Sequence, residues 1–139
     1  MAAFRHTLRV RFQECDPQGV VYFARYPEYY DIAITELFRT ALGSYQSMVD
    51  SGTDMVVAEQ TVRYRAPARF DELVDVDIAI DRLGDTSMIS TYTITRDGTL
   101  LVEGDFRHVF IEVATKAKKP IPGDIRAALA GYAPADGAA

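Results

Sequence analysis

The sequence predicts an α+β fold in which a curved antiparallel sheet of about five strands wraps one long central helix. Three observations carry this expectation. A short alternating run lies near the N-terminus, one stretch with helical spacing follows it, and four strand-like segments punctuated by turn residues fill most of the remainder. One helix cannot cover both faces of such a sheet. Apolar sheet surface and open strand edges are therefore left over, and they predict at least a homodimer.

The first element spans residues 5–12, with His6, Leu8, Val10 and Phe12 on one parity and Arg5, Thr7, Arg9 and Arg11 on the other. That alternation describes a half-buried strand, with His6 a partly exposed residue at its frayed start. From Tyr26 the period changes. Tyr26, Tyr30, Ala33, Ile34, Leu37, Phe38 and Ala41 recur at three and four, while Glu28, Asp31, Thr35 and Arg39 fall largely on other faces. A helix over residues 23–42 is roughly 30 Å long at about 1.5 Å per residue, enough to cross a small sheet. Pro27 sits in its first turn, where a missing N–H is tolerated. Glu28 and Asp31 complement the dipole there, and Gly43 supplies the stop.

Residues 43–54 read as a loop holding a helical turn at 44–50. Four strands follow. Residues 55–66 place Val56, Ala58, Val62 and Tyr64 on one parity, and residues 73–80 do the same with Val74, Val76, Ile78 and Ile80. Residues 88–95 offer Met88, Ser90, Tyr92 and Ile94, and residues 100–111 offer Leu100, Val102, Phe106 and Phe110. The connections carry turn chemistry: residues 67–71, Leu83-Gly84-Asp85, and Arg96-Asp97-Gly98-Thr99, whose Asp-Gly is a type I′ hairpin signal. Residues 124–132 read as a short helix. We expect one domain over residues 1–132 and a loose tail over residues 133–139.

Composition narrows the function classes. The 139 residues are 48% hydrophobic and 25% charged, with 8 Tyr and 7 Phe, which describes a globular chain with an ordinary core. The net charge of -5 argues against non-specific binding to nucleic acid or to an anionic membrane. A single cysteine excludes an internal disulfide, and no run of about 18 apolar residues is present, so a reducing, cytoplasmic setting is expected. Two isolated His and one Cys lack the spacing of a metal site, and no metal or other cofactor is expected.

The chemistry concentrates in Glu14-Cys15-Asp16-Pro17-Gln18-Gly19-Val20-Val21-Tyr22-Phe23-Ala24-Arg25-Tyr26. This stretch sets a carboxylate in a Pro/Gly turn between the first strand and the long helix. Asp-Pro initiates turns, and Gly19 permits backbone angles that a Cβ resists. The first N–H groups of the helix lack partners and carry partial positive charge, so they suit a developing oxyanion. A carboxylate beside such a site can attack an activated acyl group directly or through a water. On these grounds alone, Asp16 reads first as a turn cap, since Asp-Pro-x-Gly turns are common.

The same run, followed by Glu28, Tyr29, Tyr30 and Asp31, resembles the 4-hydroxybenzoyl-CoA thioesterase branch of the hotdog-fold superfamily, which includes the YbgC-type acyl-CoA thioesterases. The similarity is specific over residues 9–31, weaker over residues 56–77 and diffuse beyond. It implies an acyl-CoA thioesterase with a hotdog fold, in which Asp16 is the catalytic carboxylate and the Phe23 N–H polarises the thioester carbonyl. Tyr22 joins the catalytic group, and Gly19, Val20 and Tyr26 the substrate-binding group. Phe23 stands where YbgC-type members usually carry His, which favours an aromatic, 4-hydroxybenzoyl-like acyl group. The loop at residues 83–87 points the other way, because it lacks the basic run of the aromatic-acyl branch. A short-chain aliphatic or carrier-protein thioesterase of YbgC type and a non-catalytic acyl-CoA-binding domain are the alternatives.

Lys116, Lys118 and Lys119 interrupt the acidic background. As residues they describe a soluble loop; the resemblance implies contact with the CoA nucleotide, and further implies dimers with shared sites, often paired into tetramers. His108 shares the parity of Phe106 and Phe110 and is expected to be a hydrogen-bonded core histidine. Cys15 is not expected to act as a nucleophile, since alternation turns it away from Asp16. Asp71, Glu72, Asp75 and Asp77 read as a solvated turn and strand face. A hotdog dehydratase needs a His at the start of the helix, and neither His6 nor His108 lies there in sequence.

Overall fold

The structure, a computed structural model, describes residues 3–133. The expected tail lies outside the described residues except for Ala133. Strand β1 (Phe4–Arg9) leads through two short 3-10 turns (Phe12–Glu14 and Phe23–Arg25) into helix α1 (Tyr26–Leu42) and the short α2 (Tyr45–Asp50). Strands β2 (Thr53–Tyr64), β3 (Leu73–Leu83), β4 (Ser87–Arg96) and β5 (Thr99–Glu112) follow, then α3 (Gly123–Leu129). All five strands form one antiparallel sheet in the order β1-β3-β4-β5-β2, and α1 packs against it.

The helical spacing of α1 produces its buried face. Tyr26, Tyr29, Tyr30, Ala33, Ile34, Leu37 and Phe38 are all buried. They meet a sheet face built by period-two alternation: Val74, Val76, Ile78 and Ile80 from β3, and Met88, Ser90, Tyr92 and Ile94 from β4. Full burial of a side chain the size of Phe38 stabilises by roughly 2 to 3 kcal/mol. Tyr30 fixes the helix over the sheet, its ring stacked 3.9 Å from that of Phe106 and its hydroxyl 2.6 Å from Ser90 Oγ. Gly43 ends α1 at φ +88°, its N–H donating to Arg39 O. Asp97 and Gly98 both have positive φ, as the expected type I′ hairpin requires.

Three expectations need correction. The first strand stops at Arg9 rather than Phe12, because the Glu14 carboxylate accepts from Arg11 N–H and curls the chain into a 3-10 turn. Phe12 is swung outward by this turn, is 76% exposed, and packs edge-on against Phe70. Strand β2 does not bury one parity: Val56, Val57, Ala58 and Tyr64 are all exposed. It is an edge strand with a register shift between Val57 and Glu59, and neither face of its middle is covered by the described residues. Finally, Asp75 and Asp77 are not simply solvated. Arg5 of β1 reaches both, and Thr7 donates to Asp75.

Candidate active site

The Asp16 turn is held by backbone alone at both ends. Asp16 N–H donates to Val20 O, Gly19 N–H donates to Asp16 O, and Gly19 takes φ +80°. Gln18 N–H donates to Asp16 Oδ1 at 2.8 Å, so one carboxylate oxygen is spent on the turn. The turn is clamped to the rest of the fold by Tyr22 N–H on Glu14 O and Val21 N–H on Ala68 O.

Glu14 stabilises this clamp from below. Its side chain is buried and accepts from the Arg11 N–H, the Arg11 guanidinium and the Tyr29 hydroxyl. Burial pushes its carboxyl up, but these donors together outweigh burial and hold it below the usual carboxylate range. A charged, fully bonded carboxylate under the turn fixes Arg11, α1 and the Asp16 loop to one another. It was not singled out from the sequence; its only signal there is adjacency to Cys15 and Asp16.

The helix does not begin cleanly. Tyr22 takes φ -59° and ψ 132°, and a single 3-10 turn precedes α1 without a side-chain cap. Among the described residues, no acceptor meets the N–H of Phe23 or of Ala24. The helix start carries partial positive charge, and Phe23 lies on the wall of the adjoining space. That space is a cleft of about 560 Å³. Asp16, Val20, Tyr22, Phe23 and Tyr26 line it, as does Tyr64 from the end of β2.

Thus five of the expected site residues share one cleft, and Gly19 shapes the turn behind it. Tyr64, Arg65, Ala66 and Pro67 complete the wall without having been foreseen, since only pairing of β2 with β5 brings that end of the chain here. Tyr64 joins the site through its hydroxyl on Phe23 O at 3.1 Å and ring contacts to Phe23 and Tyr26. The lysines lie elsewhere in the chain. Lys119 is tied to Glu112 and Thr53 at the start of β2, while Tyr64 and the cleft lie at its end. Roughly 36 Å of strand separates them at about 3.3 Å per residue. Lys116 and Lys118 are exposed.

Cys15 and His108 stand apart from the chemistry. Burial, Glu14 and Asp16 all push the Cys15 thiol up, against the thiolate a nucleophile needs. His108 is buried at 6% exposure, and the expected partner is missing: its Nδ1 has no hydrogen bond among the described residues. Burial pushes its pKa down to about 4 from 6.5. The unfolded chain therefore takes up the proton first. Stability on this account is full above about pH 6.5, falls as the pH drops from there toward 4, and falls no further below. The loss between pH 6.5 and 4.5 is roughly 2 kcal/mol. Urea unfolding at both pH values should show this difference in the wild type and not in His108→Phe. Equal slopes in the two proteins contradict a buried neutral imidazole.

Fold and cleft together describe a thioesterase-like domain, and comparison with known families agrees. The chain belongs to the thioesterase-like superfamily, whose family model matches residues 10–129. It is 33% identical to the acyl-CoA thioester hydrolase YbgC of Escherichia coli O6:H1 over 123 residues, which is 88% of this chain and 92% of that protein. A hypothetical protein from Thermus thermophilus is 32% identical with a TM-score of 0.86, covering 92% of this chain and 98% of that one. The gentisyl-coenzyme A thioesterase BH1999 is 25% identical with a TM-score of 0.81, covering 91% and 98%. The antiparallel sheet around a long helix is thus the hotdog fold.

Proposed function

We propose that this chain is an acyl-CoA thioester hydrolase in which Asp16 carries the chemistry and the Phe23 N–H polarises the thioester carbonyl. The observation behind the reading is the meeting of a carboxylate and an unsatisfied helix start in one cleft. The Asp16 carboxylate attacks the thioester carbon, or takes a proton from a water that does. The carbonyl oxygen gains negative charge beside the Phe23 N–H, the C–S bond breaks, and the CoA sulfur leaves as the thiol once protonated; on the direct route water then cleaves the mixed anhydride formed with Asp16, releasing the carboxylic acid and restoring the Asp16 carboxylate. Family membership and the 33% identical YbgC hydrolase support the reaction class. A dehydratase is disfavoured, since neither His6 nor His108 lines this cleft.

The acyl group proposed is aromatic. Tyr22, Phe23, Tyr26 and Tyr64 supply ring faces and edges at the cleft, with Tyr22 and Phe23 at a centroid separation of 4.7 Å. The gentisyl-coenzyme A thioesterase among the similar structures supports the same choice. A short-chain aliphatic acyl group is the second reading, favoured by the higher identity to YbgC. Free-thiol release from a panel of aromatic and aliphatic acyl-CoAs separates the two. The aromatic reading expects kcat/KM at least about tenfold higher for benzoyl than for propionyl thioester. Saturable binding without thiol release would instead make the domain a sensor.

The working unit proposed is a homodimer, joined through the β2 edge and able to pair into a tetramer. An open edge bearing exposed Val56, Val57 and Tyr64 is a template for another strand. Antiparallel pairing about a two-fold axis would set the Thr53 end of one β2 beside the Tyr64 end of its partner. Lys116 and Lys118 would then approach the partner's cleft, where a CoA nucleotide carries negative charge. Reversing both charges should raise KM about tenfold at low ionic strength, less at high salt, with kcat nearly unchanged. A fully active monomer by light scattering at assay concentration would refute the shared site.

A further inference from the structure

The two groups proposed for the reaction sit on different segments, Asp16 in the turn that follows β1 and the Phe23 N–H at the approach to α1. Their separation is set by whatever ties those segments together. We propose that Glu14 and Tyr29 are positioning residues, whose buried hydrogen bond holds the Asp16 carboxylate at a fixed distance from the Phe23 N–H. This deepens the thioesterase reading and rests on it for the roles of Asp16 and Phe23.

Glu14 touches both segments. It lies two residues before Asp16, and its carbonyl accepts from Tyr22 N–H at 2.9 Å. The adjacent peptide group carries the Phe23 N–H, and the oxygen of that group, Tyr22 O, accepts from Arg25 N–H at 2.8 Å. The Glu14 side chain reaches α1 itself, where Oε1 accepts from the Tyr29 hydroxyl at 2.8 Å. One residue therefore binds the strand before Asp16, the peptide before the Phe23 donor and the first turn of the helix.

Burial gives the bond its weight. Glu14 and Tyr29 are 3% and 1% exposed, so water does not stand in for a lost partner. The Arg11 N–H and guanidinium occupy the rest of the carboxylate and fix its orientation, and hydrogen bonds to an ionised acceptor are the strong ones. Other side-chain ties do less. The Arg25 guanidinium reaches Gln13 O at 3.4 Å on the exposed surface, and the Tyr26 hydroxyl accepts from Ala68 N–H, which fastens α1 to the loop after β2 instead. A misplacement of about 1 Å between reacting groups can cost about a hundredfold in rate.

Tyr29→Phe removes the hydroxyl and keeps the ring, which packs edge-on to Tyr26. Assayed well below its Tm, this variant should lower kcat about tenfold or more, with KM within about twofold of wild type. In an Asp16→Asn background the same change should leave the residual rate within about twofold, because it acts through Asp16. Wild-type kcat in folded Tyr29→Phe overturns the proposal, and so does an equal loss in the two backgrounds. Should Tyr29→Phe fail to fold, Glu14→Gln takes the same measurements, since it leaves one acceptor oxygen for donors that now share two.

Amide exchange decides the link without the reaction. The Tyr22 N–H should exchange at least about tenfold faster in Tyr29→Phe, while the amides of β4 keep their wild-type rates. An unchanged Tyr22 rate overturns the proposal, as does an equal acceleration throughout β4, which would make the bond a general contribution to stability. If wild type hydrolyses no thioester, the thioesterase reading fails while the exchange rates still decide whether Glu14 and Tyr29 hold the two segments together.

Discussion

Replacing Asp16 by Asn is expected to lower kcat at least about a hundredfold while leaving the fold intact. The substitution is informative because the turn uses only one side-chain oxygen. Gln18 N–H donates to Oδ1, and an Asn carbonyl can accept the same bond. The backbone bonds from Asp16 N–H to Val20 O and from Gly19 N–H to Asp16 O do not involve the side chain. What disappears is the negative charge and the basicity of the second oxygen, and with them both the nucleophilic and the general-base route. Steady-state thiol release with the best acyl-CoA, alongside a melting curve, is the measurement. Wild-type turnover in a folded Asp16→Asn protein would remove Asp16 from the mechanism. Repeated turnover in ¹⁸O-labelled water then separates the routes. Nucleophilic attack can leave label in the Asp16 carboxylate after repeated cycles, whereas a general base never acquires it.

The largest effect on stability is expected at Gly104, in the strand that carries His108. A Cβ added there would stand 2.1 Å from Thr61 O and 2.9 Å from the Tyr92 ring. The first is backbone of the adjoining strand and cannot step aside as a flexible side chain would. Either β2 separates from β5 around the Val62 and Gly104 pairing, or the Tyr92 ring is driven out of the core. Gly104→Ala should therefore cost about 3 kcal/mol, lowering Tm by about 10 °C. Gly123 is the control, since nothing lies within 4 Å of its Cβ position. Gly123→Ala should melt within about 2 °C of wild type. The same result at Gly104 would mean that the two strands are farther apart than described. Because Tyr64 reaches the cleft only through β2, Gly104→Ala should also raise KM.

Most of the fold was legible because its signals are local. The alternation in β3 and β4, the three-and-four spacing of α1 and the Asp97-Gly98 turn each depend on residues within one element, and each is found where expected. Where local pattern failed, a distant partner had overruled it. Phe12 has strand parity but lies beyond a bend made by the Glu14 carboxylate. Val56 and Ala58 share the parity expected to be buried and both are exposed, because β2 has no neighbour on its outer side among the described residues. The expected partner for His108 was a rule about buried histidines, and the contacts around this ring do not supply one.

The sequence by itself determined the turn that presents Asp16, the helix whose start faces it, and the family to which both belong. The turn and the helix follow from backbone preferences of Pro and Gly and from the periodicity of apolar residues, all of which act over a few positions, and the family follows from the resemblance carried by residues 9–31. Tertiary structure alone decided which other residues stand at the cleft, which strand is left as an open edge, and where a buried ring goes without a partner. Those outcomes depend on strand order and register, which bring Tyr64 beside Phe23 and His108 beneath Tyr30 across gaps of 41 and 78 positions in the chain. Such pairings are selected by the packing energy of the whole sheet, so no short stretch of the sequence contains them.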